Sequence, residues 1–234
     1  MTTKNSLSKY SIHYQNMDAV TADRAQTSLQ RRLEDFRLRL DLENILPWIK
    51  GLDVLDFPIG TGRFYPHLGN QYEVYGYDIA KEYVRRAQEK NPDIADHFVE
   101  CSFENVDRKK TFDTVVTLRT LNNLANVELA VSNVASILRP GGRWIFNYPP
   151  GGTQYHDMRS ILNRRGFQIV HEKAYDCHGG GAAHGYFRTR MYELYLQLIE
   201  AGIVSYQLFR VVDSFLAQKG TRLFVCERQQ TTDE

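Results

Sequence analysis

From Leu52 onward, short apolar runs alternate with amphipathic stretches along the chain. This alternation is typical of a parallel sheet covered by helices. The apolar runs predict seven strands, at Leu52–Phe57, Tyr72–Asp78, His97–Cys101, Phe112–Leu118, Arg143–Tyr148, Gln168–Lys173 and Arg222–Cys226. The amphipathic stretches predict helices at Arg63–Leu68, Lys81–Lys90, Val127–Leu138 and His156–Arg165. We expect the Pro140-Gly141-Gly142 segment to form the turn between a helix and the fifth strand.

An earlier helix is predicted from about Thr21 to Leu46, where Pro47 ends the pattern. Its apolar positions follow helical spacing and are Leu29, Leu33, Phe36 and Leu40. Basic and acidic residues alternate on the rest of this helix: Arg31, Arg32, Arg37 and Arg39 with Glu34, Asp35, Asp41 and Glu43. Because the signs alternate, we interpret these residues as a solvated face and not as a nucleic-acid patch.

Nearly fifty residues separate the sixth and seventh predicted strands, too many for a simple connection. This insertion opens with a glycine-rich stretch at 178–185. Two helical patterns follow, with apolar residues at Phe187, Met191, Leu194 and Leu198 before Gly202, and at Val204, Leu208, Val211 and Phe215 after it. We therefore expect a single domain over residues 1–234, with a helical cap at 1–50, a core at 51–174 and 221–228, and a helical insertion at 175–220.

Composition narrows the functional class. The chain has 234 residues, of which 42% are hydrophobic and 24% charged, as in an ordinary globular protein. The formal charge of +1 argues against general nucleic-acid binding, and no apolar run reaches the roughly 18 residues of a membrane span. The polar first residues lack a signal peptide's apolar core, so we expect a cytoplasmic protein. Three widely separated cysteines predict neither a disulfide framework nor a zinc ribbon.

The clearest chemical signal is the exit of the first strand, Asp56-Phe57-Pro58-Ile59-Gly60-Thr61-Gly62. Glycines at a strand-to-helix turn allow the backbone to approach a ligand closely. About twenty residues on, the second strand ends at Asp78, where an acid can meet the hydroxyls of a ribose. The two features together indicate a site for a ribose-containing cofactor.

A nicotinamide-dependent dehydrogenase would share both features, so the two cofactor classes must be separated. The dinucleotide fingerprint needs a third glycine three residues after the second, and this chain has Tyr65 there. Asp56 would also repel a pyrophosphate, whereas it could pair with an ammonium group. This combination resembles the first motif of the class I S-adenosylmethionine-dependent methyltransferases.

Other segments carry the same resemblance, over somewhat more than half of the chain. They are Phe112–Leu118 followed by Arg119–Leu124, Ile137–Phe146 with its Pro-Gly-Gly turn, and Leu162–Phe167. The resemblance implies a three-layer α/β sandwich with a seven-stranded, mostly parallel sheet in the order 3-2-1-4-5-7-6, its last strand antiparallel. It also implies S-adenosylmethionine as cofactor and S-adenosylhomocysteine as product.

The resemblance implies roles for several residues. Asp56, Gly60 and Gly62 would surround the amino acid part of the cofactor, and Asp78 would accept hydrogen bonds from its ribose. The adenine would lie near Ile79, Ser102, Phe103 and Leu118. Two departures from the family pattern concern this site: Pro58 replaces the first glycine of the motif, and Ser102 stands where an acid often binds the adenine amine.

The acceptor side is less determined by the sequence. Tyr14, Arg119, Asn123 and His156 are candidates for substrate contact, and His156 or His184 is the candidate base if an oxygen is methylated. Asn147-Tyr148-Pro149-Pro150 contains a scrambled form of a motif of amino-group methyltransferases, to which we assign no catalytic role. Cys177, His178 and His184 lack the second ligand pair of a closed metal site, so no metal is expected.

We expect methyl transfer to an oxygen or nitrogen of a small-molecule or sugar-containing acceptor. The alternatives are methylation of protein or nucleic acid, a non-catalytic cofactor-binding partner protein and, last, a nucleotide-dependent dehydrogenase. The insertion would build the acceptor pocket or its lid, or would instead cover the sheet or form a homodimer interface.

Overall fold

The computed structural model describes residues 28–106, 108–149, 156–176, 194–208, 211 and 221–229. Its centre is a seven-stranded sheet. The strands are β1 (Asp53–Asp56), β2 (Glu73–Asp78), β3 (Phe98–Glu100), β4 (Phe112–Thr117), β5 (Leu138–Tyr148), β6 (Phe167–Asp176) and β7 (Thr221–Arg228). They lie in the order 3-2-1-4-5-7-6, which confirms the predicted topology.

The helices that cover the sheet are α1 (Ser28–Ile45), α2 (Tyr65–Leu68), α3 (Lys81–Lys90), α4 (Val127–Ile137) and α5 (Met158–Arg164). Short 3-10 turns lie at Leu46–Trp48, Pro92–His97 and Leu121–Asn123. Helix α1 ends where the sequence predicted, because Pro47 falls in the first of these turns. The predicted start of this helix, before Ser28, lies outside the described residues.

The direction of the strands determines where a ligand can approach. β1 pairs in parallel with β2 and β4, β2 with β3, and β4 with β5, whereas β7 runs antiparallel to β5 and β6. The chain order reverses between β1 and β4, which lie side by side. Ligands of open α/β sheets bind outside the carboxyl ends of the strands at such a reversal. The carboxyl ends of β1, β2 and β4 therefore outline the candidate cleft.

Successive residues of the central strands pack on opposite faces of the sheet. Trp144 and Phe146 lie in the cluster that includes α4 and α5, while Ile145 between them lies in the cluster that includes α1 and α2. Both clusters consist of fully or nearly fully buried side chains. The sheet is thus covered on both faces, as its near-continuous apolar strands require.

The fifth strand begins earlier than predicted. We expected a turn at Pro140-Gly141-Gly142, but β5 starts at Leu138, directly after α4. Its pairing with β4 is irregular between Phe112 and Thr114, and Gly141 has a φ of +74°. A Cβ on Gly142 would lie 2.9 Å from the carbonyl oxygens of Arg139 and Asp113. The glycines therefore allow an irregular strand start to pass close to β4.

The helix of the insertion lies between β6 and β7, and its buried side differs in part from the predicted apolar stripe. Residues 194–200 are helical, and Leu196 is the side chain that is buried, against Phe36 and Leu40 of α1. Leu194, expected on the packing face, is half exposed. Gly202 interrupts the helix with a φ of +70°, as expected. The glycine-rich opening of the insertion and several predicted apolar positions, Phe187, Met191 and Phe215, lie outside the described residues.

Within the described ranges, every helix is too short or too polar to cross a lipid bilayer.

Candidate cofactor-binding cleft

Two acidic residues end neighbouring strands at the carboxyl edge of the sheet. Asp56 is the last residue of β1 and Asp78 the last residue of β2. The register pairs Asp56 with Gly76, so the two carboxylates lie at the same end of adjacent parallel strands. Each residue is only 3% exposed. The sequence motif and the later acid are thus brought together at the place where the topology puts a ligand.

The turn after β1 is fixed by β2. Ile59 donates its backbone N–H to the Tyr77 carbonyl at 2.9 Å, and Gly60 donates its N–H to Asp78 Oδ2 at 2.8 Å. Gly60 has a φ of +56°, in the left-handed region that favours glycine. A Cβ added to Gly60 would meet no described atom within 4 Å. The backbone is therefore exposed there to the approach of a ligand.

Burial makes both carboxyl groups harder to ionise. It raises the pKa of Asp78 to about 6, against the lowering effect of the N–H groups of Ala80 and Gly60. Burial also raises the pKa of Asp56 well above its ordinary value; Arg63 opposes this, and Asp78 and Asp41 add to it. Buried carboxylates of this kind gain from a cation or from hydroxyl donors, because either one offsets the desolvation of the charge.

The region that contains these features matches a known domain. Residues 55–146, from β1 through most of β5, match the family model described as "Methyltransferase domain". Over these residues the chain is similar to methyltransferase domains. No curated protein sequence matches the chain.

Solved structures share the methyltransferase fold along most of the chain. Magnesium protoporphyrin IX methyltransferase from Synechocystis PCC 6803, solved with its cofactor, is 16% identical, with a TM-score of 0.55 over 87% of this chain and 85% of that one. An N-methyltransferase from Bradyrhizobium japonicum WM9, solved with S-adenosylhomocysteine, is 15% identical, with a TM-score of 0.52 over 88% and 90%. The cyclase SpnF is 15% identical, with a TM-score of 0.57 over 88% and 84%. At these identities the likeness establishes the fold and leaves the acceptor open.

The chemistry of the cleft fits S-adenosylmethionine, the cofactor that the resemblance in the sequence implies. An ammonium group, a sulfonium and ribose hydroxyls can all be met by buried carboxylates beside an accessible glycine backbone. In the segment after β3, Glu104 Oε1 is buried without a hydrogen-bond partner in the described part of the chain. Such an atom is a further acceptor for a polar ligand.

The residues predicted to contact adenine differ from one another in their surroundings. Phe103 is buried and stacks on Phe57, with ring centroids 3.7 Å apart, so its ring belongs to the core below the cleft. Ser102 Oγ accepts the N–H of Asn105 at 3.2 Å, while Ile79 is half-buried and Leu118 is buried. Contact of these four residues with adenine stays a prediction. The Phe57–Pro58 peptide bond in the motif is cis.

Arg119 lies directly after Leu118 at the end of β4, held from two sides. Its backbone has a φ of +60°, which costs a non-glycine residue on the order of 1 kcal/mol. Its N–H donates to Asn147 Oδ1 at 2.5 Å, and its guanidinium binds both oxygens of Asp41 at 2.7 and 2.8 Å. Asn147, to which the sequence analysis gave no role, thus fixes the backbone of a candidate substrate residue.

Asp41 corrects an interpretation of the sequence. Alternating charges predicted that it belongs to a solvated face of α1, but it is 1% exposed. Besides Arg119, its carboxylate accepts a hydrogen bond from Arg63 at 2.8 Å. The alternation correctly described Glu43, which is exposed. No local pattern distinguishes the two acids, because the partners of Asp41 lie 22 and 78 residues away in the sequence.

The remaining candidates are not assembled into one site. Asn123 ends the 3-10 turn after β4 and accepts a hydrogen bond from Asn122. His156 is exposed, at the turn before α5. Tyr14 and His184 lie outside the described residues, as do Cys177 and His178. Among the residues that could be searched, no cluster of His, Cys, Asp and Glu could hold a metal ion.

Proposed function

We propose that this methyltransferase transfers the methyl group of S-adenosylmethionine to an oxygen or nitrogen of a small-molecule or sugar-containing acceptor. One observation carries the proposal: Asp56 and Asp78, both buried, flank an accessible glycine backbone at the carboxyl edge of a matched methyltransferase domain. A pyrophosphate would face these two carboxylates, which disfavours the dinucleotide-dependent alternative.

Each residue of the cleft has a proposed part. Asp56, with the backbone of Gly60 and Gly62, holds the ammonium end of the cofactor. Asp78 accepts hydrogen bonds from the ribose hydroxyls while it keeps its bonds to the backbone, since a carboxylate has about four acceptor sites. The adenine end of the cofactor contacts four residues: Ile79, Ser102, Phe103 and Leu118.

Catalysis is mainly a matter of position. The cofactor supplies a methyl group that its sulfonium already activates. The chain's task is to hold the acceptor atom in line behind that methyl group and to keep water out. Arg119 and Asn123, at the end of β4, and Tyr14 are the proposed acceptor contacts. A neutral amine needs little further help, whereas a hydroxyl needs a base to take its proton, for which His156 and His184 are the candidates.

A small acceptor agrees with the nearly neutral charge of the chain, which offers little attraction to a nucleic acid. The insertion also carries Tyr195 and Tyr206, amphipathic rings of a kind that suits an acceptor containing a ring or sugar. The solved relatives include a porphyrin methyltransferase and an N-methyltransferase, so the fold accommodates different acceptors. Cytoplasmic location and a homodimer stay predictions.

Methyl-labelled S-adenosylmethionine incubated with the protein and fractionated cell extract tests the function. We expect label to appear in the small-molecule fraction and to depend on the protein. Label found only in RNA or protein fractions would replace the small acceptor with a polymer. If no fraction were labelled while the cofactor still bound, a non-catalytic partner protein would be favoured. An enzyme that does not transfer a methyl group would give the same result, since a cyclase has this fold.

Replacing His156 and His184 together by alanine tests the choice between oxygen and nitrogen. With an oxygen acceptor, we expect turnover to fall roughly 100-fold and the rise of turnover with pH to disappear, because general base catalysis has been lost. The measurement is kcat over a pH series, with cofactor affinity as the control. An unchanged pH profile would exclude both histidines as the base.

A further inference from the structure

Asp41 places a carboxylate beside the cleft, although it lies outside the region that matches the family model. It lies on α1, which precedes residues 55–146, and its carboxylate is buried at the carboxyl edge of the sheet. Among the described residues, this carboxylate accepts one hydrogen bond from Arg63 at 2.8 Å and two from Arg119 at 2.7 and 2.8 Å. Helix α1 is therefore bound to the segments that follow β1 and β4.

Both arginines belong to the rim of the cleft. Arg63 directly follows Gly62 of the glycine turn, and Arg119 follows the last strand residues of β4. About a third of each arginine side chain is exposed, whereas Asp41 is not. Asp41 is thus the buried partner of two partly exposed guanidinium groups.

Charged groups of both signs lie close together here. The described residues include the carboxyl groups of Asp41, Asp56 and Asp78 and the guanidinium groups of Arg63 and Arg119. These groups act on one another, because Asp56 is within electrostatic range of Arg63, Asp78 and Asp41. If Asp41 lost its charge, the two guanidinium groups that it binds would be less compensated, and a cationic ligand nearby would be held less strongly.

The cofactor and its product differ by one charge. S-adenosylmethionine carries a sulfonium, an ammonium and a carboxylate, and S-adenosylhomocysteine has a neutral thioether in place of the sulfonium. We propose that Asp41 is a specificity-determining residue whose charge offsets the guanidinium groups of Arg63 and Arg119 and so favours the sulfonium cofactor over the neutral product. The inference rests on the proposed function, because it takes these two molecules as the ligands of the cleft.

Asp41→Asn tests the inference, with the affinities for S-adenosylmethionine and S-adenosylhomocysteine measured by calorimetry at low salt. We expect the ratio of the two affinities to shift roughly fivefold toward the product, since the cation loses an attraction that the neutral molecule lacks. Asp53→Asn is the matched control. Asp53 also binds two cationic partners, Arg139 and Lys110, but at the amino end of β1, so its replacement should leave the ratio unchanged.

Variants of Arg63 make the test independent of whether Asp41→Asn folds. Arg63→Gln alone should shift the ratio toward S-adenosylmethionine, and Arg63→Gln combined with Asp41→Asn restores the original charge balance and should restore the ratio. Equal losses of both affinities in Asp41→Asn, or a ratio that does not respond to Arg63→Gln, would overturn the inference. Failure of the wild-type protein to bind either molecule would instead contradict the proposed function.

Discussion

Replacing Asp78 by alanine should weaken the binding of both S-adenosylmethionine and S-adenosylhomocysteine by roughly 10- to 100-fold, the range expected for lost hydrogen bonds to a charged group. The ribose is common to both molecules, so both affinities should fall together. The same change frees the N–H groups of Gly60 and Ala80, which Asp78 binds at 2.8 and 2.9 Å. Calorimetry gives the two affinities.

Asp78→Asn is the companion variant, because it keeps the shape and one acceptor oxygen. We expect it to lose less affinity than alanine. Circular dichroism should show that both variants keep the fold. Unchanged calorimetric affinity of the alanine variant for both molecules would remove Asp78 from the cofactor site.

The raised pKa of Asp78 also predicts how the wild-type protein responds to pH. Between the ordinary carboxyl pKa and about 6, the folded state holds a proton that the unfolded state has lost. This group's contribution to the free energy of unfolding therefore falls as pH rises through that window and is level above about pH 6. The loss is on the order of 3 kcal/mol at neutral pH.

Cofactor binding should have the opposite dependence. Ribose hydroxyls favour the ionised carboxylate, so affinity should rise as pH increases toward about 6 and then level, with protons released on binding below that value. Calorimetry in buffers of different ionisation enthalpy measures the proton release. The difference in proton release between the wild type and Asp78→Asn is the part due to Asp78. Equal proton release by the two proteins would contradict a role of Asp78 in binding the ribose.

Replacing Gly76 by alanine should destabilise the protein by about 3 kcal/mol or prevent folding, as overpacking of a filled core does. A Cβ there would lie 1.9 Å from Ile59 Cδ1 and 2.8 Å from Ile59 Cβ and Cγ1. Ile59 has little room to move, because it is buried and its N–H is bound to the Tyr77 carbonyl. The measurement is the free energy of unfolding in urea.

Gly60→Ala is the matched control for Gly76→Ala. Its Cβ meets no described atom within 4 Å, so we expect only the backbone cost of a left-handed alanine, roughly 1 kcal/mol. The added methyl group would instead lie where the cofactor approaches, and affinity should fall more than stability does. Gly76→Ala with wild-type stability would mean that Ile59 can leave its position without cost.

The strands, and the acids and glycines at their carboxyl ends, could be predicted because their signals are local. An apolar run followed by a glycine turn, and an acid at the end of the next run, are visible in the sequence, and the topology then brings Asp56, Gly60 and Asp78 together. The start of β5 was missed because the Pro-Gly-Gly segment has the composition of a turn, while its pairing with β4 is a tertiary contact.

The packing of the insertion and of α1 depends on contacts between segments that are distant in the sequence. Helical spacing in the insertion identified an apolar helix but could not show which side meets α1, and Leu196 lies there instead of Leu194. The burial of Asp41 could not be predicted for the same reason. It depends on Arg63 and Arg119, which are distant from this helix in the sequence.

Helix α1 makes three kinds of contact. Phe36 and Leu40 pack on the insertion, Ile45 packs on the sheet, and Asp41 holds the two arginines of the cleft. Tyr206 of the insertion also donates a hydrogen bond to Glu43 of α1. A chimaera that exchanges the insertion for that of another protein with this fold would thus need to carry α1 with it. Without α1, a new insertion would pack against a mismatched helix, and the mismatch would reach Arg63 and Arg119 through Asp41.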